Sequence, residues 1–317
     1  MTRIFGTSRP TLDVAPTSDA IIEDLLKGAI DLHCHSGPSV MPRDLDHIEA
    51  IEEASAAGFR AILFKDHYYS ATPITELLNR HYAHRGVTLL SGIALNNAVG
   101  GLNRYAVDHT IRLGGRVVWM PTFSAANHID HHRKDPGFSE KFPSPKERML
   151  APTPLRVTDE RGQLLDEAKF ILDLIAEKDL VLSAGHLHIS EIWPLFQEAK
   201  ARGVNRLLVN HPNYVVDASV ADMSELVAMG AYLEHSVCMY IEGSKFKFYD
   251  PDTLRELIDA GTIERTILGS DLGQCGNPRP VAGFKAVIGL CLQIGCTPEQ
   301  IRQMISINAA RLLGLQP

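Results

Sequence analysis

From Ile21 onward, short apolar runs rich in β-branched residues alternate with longer stretches whose apolar positions recur every three to four residues. The short runs read as strands at Ala29–Ser36, Arg60–His67, Val87–Leu95, Arg116–Thr122, Leu180–His186, Arg206–Pro212, Ala231–Val237 and Arg265–Asp271. The longer ones read as helices at Asp44–Ala57, Ile74–His84, Leu102–Leu113, Asp166–Lys178, Ser190–Arg202, Ser219–Met229, Asp252–Ala260, Val281–Ile294 and Pro298–Leu313, several of them stopped by glycine. Eight strands with helices between them, several apolar on both faces, predict an α/β fold, a (β/α)8 barrel of TIM type. An open doubly wound sheet is the rival topology, but no GxGxxG follows the first strand. One long irregular stretch, about 123–165, interrupts the beat after strand four; it carries NHIDHH, several prolines and a hairpin-like turn in VTDERGQLL. Insertions at that end of a barrel serve as lids or subunit contacts. The expected layout is an N-terminal arm over residues 1–20 and a single barrel domain over 21–317.

In such a barrel the chemistry sits where the strands end. Strand one ends LHCHS, and strand alternation puts His33 and His35 on one face with Leu32 and Cys34 on the other. Lys65 and His67 end strand two, His186 strand five, His211 strand six, His235 strand seven and Asp271 strand eight. Imidazole and carboxylate are the ligands of borderline divalent cations, and a catalytic ion needs about three protein ligands and an open position. Each histidine alone has a plainer reading as a cap or loop residue, and for His235 and for His128, His131 and His132 of the insertion that reading leads. His188, two residues after His186, and His67 are candidates for metal or substrate contact.

HxH after strand one, His after strands five and six and Asp after strand eight resembles the amidohydrolase superfamily of metal-dependent hydrolases. The likeness runs from Ile30 to ISINAARLLGL at Ile305–Leu315. It implies that His33, His35, His186 and Asp271 hold the more buried metal, that His211 holds a second ion or serves the substrate, and that Asp271 also accepts the proton of the attacking water. Many dinuclear members bridge their metals through a lysine or glutamate on strand four, where this chain has only WMPT. Lys65 instead lies on strand two with the parity of His67, so a neutral, carboxylated Lys65 as a metal ligand, an ammonium that binds a substrate anion, and a salt bridge to Asp31 or Asp66 all stand open. A second resemblance, to the polymerase and histidinol phosphatase phosphoesterases, rests on DLHCHS, KDH and GSD; those families place another His soon after the last Asp, and Leu272, Gly273 and Gln274 stand here.

The expected activity is hydrolysis of an amide, cyclic amide, lactone or similar carbonyl bond in a small molecule. The expected cofactor is one or two divalent ions, zinc first, with manganese, iron or cobalt as alternatives. Decarboxylation of a small unsaturated or aromatic acid and phosphoester hydrolysis are the other readings. Substrate-facing candidates in the strand-end loops are Asn96, Asn97, Thr122, Asn210, Tyr214 and Arg279, with Gly100, Gly101, Asn103 and Asn213 beside them; each also suits a turn or cap. Arg279 with Lys65 would suit a substrate carboxylate.

Composition narrows the partners. The 317 residues carry 31 basic and 38 acidic side chains, a net charge of −7, and no basic cluster, which argues against nucleic acid or an anionic membrane. Five cysteines without a CxxC read as reduced thiols of a cytoplasmic protein. The N-terminus lacks a signal-length apolar run, and a homo-oligomer is an open expectation.

Overall fold

A computed structural model describes residues 18–134, 141, 145 and 147–316. Eight parallel strands, β1 (Ile30–Cys34), β2 (Ala61–Phe64), β3 (Thr88–Ala94), β4 (Val117–Trp119), β5 (Val181–Ser183), β6 (Arg206–Asn210), β7 (Tyr232–Ser236) and β8 (Thr266–Gly269), pair in chain order. The two ends of the sheet meet through Asp271 N–H on the His33 carbonyl (2.7 Å) and His35 N–H on the Leu272 carbonyl (2.8 Å). Asp31 rivets this seam, because its Oδ1 accepts from the backbone N–H of both His33 (3.0 Å) and Ser270 (2.9 Å). The result is a nearly closed (β/α)8 barrel. Each strand is one to three residues shorter at its C-terminal end than the apolar runs suggest, because there the chain leaves the ladder to form the site.

The interior is built by alternate residues. Ala61 and Leu63, Val117 and Trp119, with Ile30, Leu32, Leu90, Val181, Leu208 and Ile267, form one buried cluster, closed by Ala309 and Leu312 of the last helix (Asn308–Leu313). Ile62, Phe64, Leu89, Ile93 and Val118 point outward into the layer packed against the helices. Strand β1 departs from simple alternation. Asp31 pairs with Ile62 and Cys34 with Phe64, so Leu32 and His33 together face Leu63 across a bulge. Leu32 therefore joins the interior, against the expectation that it shares a face with Cys34, and His33 and His35 still project together.

The insertion is not irregular throughout. Residues Ala126–Lys134 are helical, which places the NHIDHH histidines on one helix, and the predicted hairpin exists as an antiparallel bridge between Thr158 and Leu164. A helix at Ser18–Leu26 begins inside the range read as an arm; residues 1–17 lie outside the described residues. The closing helix breaks into Pro298–Arg302, a wider turn at Gln303–Ile307, and Asn308–Leu313. The Asn308 amide donates there to the carbonyls of Ile263 (2.7 Å) and Thr266 (2.6 Å), tying the helix to the barrel floor. Among the described residues no helix is long and apolar enough to cross a membrane, and all five cysteines are free thiols.

Candidate active site

At the C-terminal ends of the strands a narrow pocket of about 50 Å³ is lined by His33, His35, Lys65, His67, His186, His211 and Asp271, with Met41, Arg43, Phe123, His128, His132, Tyr214, Phe246, Phe248 and Gln274 around its mouth. A wider groove of about 1050 Å³ shares His67, Phe123, His128 and His132 with it, and runs out along Met149–Thr153 of the insertion.

The center of the pocket is tight. Asp271 Oδ1 lies 3.0 Å from His35 Nε2 and 3.3 Å from His33 Nε2, and Oδ2 lies 3.8 Å from His211 Nε2. His33, His211 and Asp271 present donor atoms all within 4.8 Å of one another, a group able to hold a metal ion. His211 (φ 51°) and Asp271 (φ 50°) both adopt the left-handed backbone that side chains rarely take, and this turn at the strand end aims them inward. Lys65 Nζ lies 2.9 Å from His33 Nε2. His186 stands at the edge of the group, its ring 5.2 Å from that of His211. Its Nδ1 is 2.8 Å from Nδ1 of His128, and its Nε2 is buried without a hydrogen-bond partner. Gly185 makes this approach possible, since a Cβ there would meet the Met120 carbonyl at 2.2 Å.

A buried polar chain beneath the pocket fixes His33. Glu234, fully buried on the inner face of β7, takes the His33 Nδ1–H at 2.6 Å through Oε1, and the Asn210 amide donates to its Oε2. Ser183 Oγ in turn donates to Asn210 Oδ1. Gly269 leaves room for the carboxylate, because a Cβ there would lie 2.6 Å from Glu234 Oε1. His35 is oriented through its Nδ1–H, given to the Lys65 carbonyl at 2.8 Å. In both rings the N–H is engaged on the far side, so the Nε2 lone pair faces the pocket.

Burial decides the charges. It pushes His33 and His35 down to about 3 and His211 to about 4, and holds His186, His67 and His128 well below the ordinary imidazole value. Burial pushes the Asp271 carboxyl up, but the facing imidazoles of His33, His35 and His211 outweigh it and hold the group well below the usual carboxylate range. Burial also drives Lys65 down and Glu234 up, each opposed by the charge of the other. Neutral imidazoles, an ionised carboxylate and the orphaned Nε2 of His186 are the donor set that a borderline divalent cation requires.

Other candidates fall elsewhere. Asn96 and Thr122 are buried and support His67: Thr122 Oγ1 bonds His67 Nδ1 at 2.8 Å, and Asn96, which also lines the wider groove, donates to Thr122 Oγ1 (2.6 Å) while accepting from the backbone of Thr122 and Ser124. Asn210 likewise serves Glu234 from below. His188 is a half-buried helix cap that accepts from Ser190 N–H at 3.2 Å. Arg279 is bound on the surface by Asp44 (2.9 Å), Glu53 (2.6 Å) and Glu49 (3.5 Å), away from the pocket. Asn97 is exposed at the outer groove, accepting from Thr153 N–H at 2.9 Å. Tyr214 does line the pocket, and His128 and His132 of the insertion reach it as well. His235 is buried on the opposite face of β7 from Glu234, outside the pocket. Glu234 went unread in the sequence, although Tyr232–Glu234–Ser236 share a parity and an acid in the middle of a buried strand is itself a signal.

Residues 28–234 match the family of unknown function DUF6282, and the chain belongs to that family. No curated protein matches it. Among solved structures it is similar to an amidohydrolase from Pseudomonas aeruginosa (11% identity, 94% of this chain and 98% of that one, TM-score 0.61). An organophosphorus hydrolase from Deinococcus radiodurans aligns at 14% identity over 90% and 92% of the two chains, TM-score 0.52. A 2,6-dihydroxybenzoate decarboxylase aligns at 10% identity over 91% and 100%, TM-score 0.54. The (β/α)8 barrel read from the alternation of strands and helices is thus the fold these structures share with the chain.

Proposed function

We propose that this member of the DUF6282 family is a metal-dependent hydrolase that cleaves an amide, cyclic amide, lactone or similar carbonyl bond of a small molecule. The observation that carries the reading is convergence: His33, His35, His211 and Asp271, from three separate strand ends, bring donor atoms around one point, with the free Nε2 of His186 beside them. His33, His35, His186, His211 and Asp271 would hold the ion, zinc first, with manganese, iron or cobalt as alternatives. Bound there, a divalent cation polarises a carbonyl and lowers the pKa of water toward neutrality. Asp271 is the one ionised acid in the pocket and the group placed to accept the proton of an attacking water and return it to the leaving group. Lys65, buried against His33, either takes up carbon dioxide and joins the ligands or stays an ammonium that balances Glu234. The free thiols and negative charge favour a cytoplasmic setting and a small-molecule partner, and the insertion helix is where a second copy would dock.

Elemental analysis of the purified protein with an anomalous-scattering map tests this directly. One or two ions on the named side chains, with activity toward esters, lactones or amides lost on chelation, is the expected result. A protein without a transition metal sinks the proposal. A second reading, decarboxylation of a small acid on the same residues, is favoured by one observation: only one compact metal-competent group occurs among the described residues. Release of carbon dioxide with no labelled oxygen from water entering the product would select it.

A further inference from the structure

Arg43 has no part in the chemistry above, yet it lines the same pocket as His33, Lys65, His211 and Asp271. The loop after β1 is stitched to the loop after β8, with an antiparallel bridge between Arg43 and Gln274 and the Asp44 N–H on the Gly273 carbonyl at 2.9 Å. The guanidinium is thereby held in the pocket that Asp271 also lines. Its side chain is only 6% exposed. A guanidinium offers five N–H donors, and charge-assisted bonds to oxygen run at about 2.7–2.9 Å. Arg43 has nothing so close: Nη2 reaches Ser39 Oγ at 3.4 Å and Asp66 Oδ2 at 3.5 Å, and Nε is buried without a partner. Gln274 repeats the pattern, donating to the Asp271 carbonyl at 3.0 Å and leaving its own Oε1 buried and unpartnered. Buried charged donors left unmade are expensive, and proteins keep them where a ligand completes them. Lys65, the other cation of the pocket, is already engaged with His33 and opposed by Glu234.

We propose that Arg43 is the anchor for a carboxylate on the substrate, with Gln274 Oε1 accepting from a hydroxyl or amide N–H next to it. The one ion pair of Arg43 among the described residues is the long 3.5 Å contact of Nη2 with Asp66, which leaves donors of the fork for one carboxylate. Around it Met41, Phe123, Tyr214, Phe246 and Phe248 form the walls, so the substrate class is a monocarboxylate with a compact aromatic or branched apolar body. The inference deepens the hydrolase reading, since the anchored group sets what lies over Asp271, but the binding step stands apart from the chemistry.

The test is titration of benzoate, its neutral counterpart benzamide and the dianion phenylphosphonate into the wild-type protein as purified, Arg43→Gln and Arg43→Lys, with metal content measured in parallel. Wild type is expected to prefer benzoate to benzamide. Arg43→Gln is expected to lose about 10- to 100-fold in benzoate affinity, the range for a hydrogen-bonded charge pair, and to leave benzamide unchanged. Arg43→Lys, which keeps the charge without the fork, is expected to fall between, and carries the test should Arg43→Gln fail to fold. Equal benzoate affinity in wild type and the variants, equal binding of benzoate and benzamide, or tighter binding of phenylphosphonate overturns the proposal. Metal present without a benzoate preference overturns the anchor and leaves the hydrolase reading standing; a benzoate preference that depends on Arg43 in a metal-free protein does the reverse.

Discussion

Replacing Glu234 with Gln tests whether the buried chain beneath the pocket sets the metal-binding face of His33. In the wild type one carboxylate oxygen receives the His33 Nδ1–H at 2.6 Å and the other receives the Asn210 amide, whose own orientation is fixed because its oxygen accepts from Ser183. Two donors therefore converge on two acceptors. Gln supplies a single oxygen, so whichever way it is turned its amide N–H₂ faces a donor. If the oxygen stays on His33, two donors collide at Asn210. If it turns to Asn210, the amide presses on His33 Nδ1 and favours the tautomer whose Nε2 carries the proton, the wrong form for a ligand. An unmade buried hydrogen bond costs about 1–3 kcal/mol, and a lost partner behind a metal-bound His costs about 10- to 100-fold in affinity. Competition for zinc against a chromophoric chelator should therefore show Glu234→Gln binding about 10- to 100-fold more weakly, with a cooperative thermal transition retained. Wild-type zinc affinity in a folded Glu234→Gln protein would refute the reasoning.

Chelation should lower the melting temperature and added zinc should restore it, since an ion at 100 times its dissociation constant adds about 2.7 kcal/mol to the folded state; in His186→Ala that zinc-dependent gain should shrink, and an unchanged gain would remove His186 from the ligand set. Arg279→Ala should leave the Michaelis constant for any substrate unaltered and cost about 1 kcal/mol or less, less again at high salt, because Asp44, Glu49 and Glu53 are solvent-accessible partners. Burial against Phe64 lowers His47 to about 4, with Ser36 Oγ 2.5 Å from its Nδ1. The unfolded chain binds this proton first, so the contribution, about 3 kcal/mol, is whole above the ordinary imidazole value and drains away as pH falls from about 6.5 to 4. Urea unfolding across that range should be less pH-dependent in His47→Gln, and identical slopes would count against it.

The barrel was readable because its physics is local. Period-two apolar runs and glycine-stopped amphipathic stretches name eight strand–helix units, and a closed parallel sheet is the arrangement that covers them all. The strand-end cluster of His33, His35, His211 and Asp271 was legible in part for the same reason, because each follows an apolar run directly and the C-terminal ends of barrel strands converge. Arg279 and His188 were misplaced because a loop residue has no periodicity to fix its direction. Arg279 found three acids on the neighbouring loop and helix, and His188 found the open N-terminus of the helix that follows it. Asn96, Thr122 and Asn210 lie in the expected neighbourhood and support His67 and Glu234 there; a polar side chain pointing inward can face a ligand or support a residue that does, and sequence alone does not separate the two.

On β7 the sequence offers Glu234 and His235 side by side, and metal chemistry favours the imidazole when residue type alone is weighed. Parity overrules type: Glu234 pairs across with Asn210 on the inward face, and His235 is turned into the outer layer, where it does no site work. On β1 parity itself is overruled, because the bulge at Leu32 and His33 lets two consecutive residues face inward. Without that extra residue, continuing the alternation of Ile30 and Leu32 would turn His33 and His35 outward with Asp31, away from Asp271. The HxH pair is thus a site only in combination with an irregularity that no hydrophobic pattern announces, and it is held by the Asp31 rivet, whose carboxylate bonds the two backbones that the bulge pulls apart from the ladder.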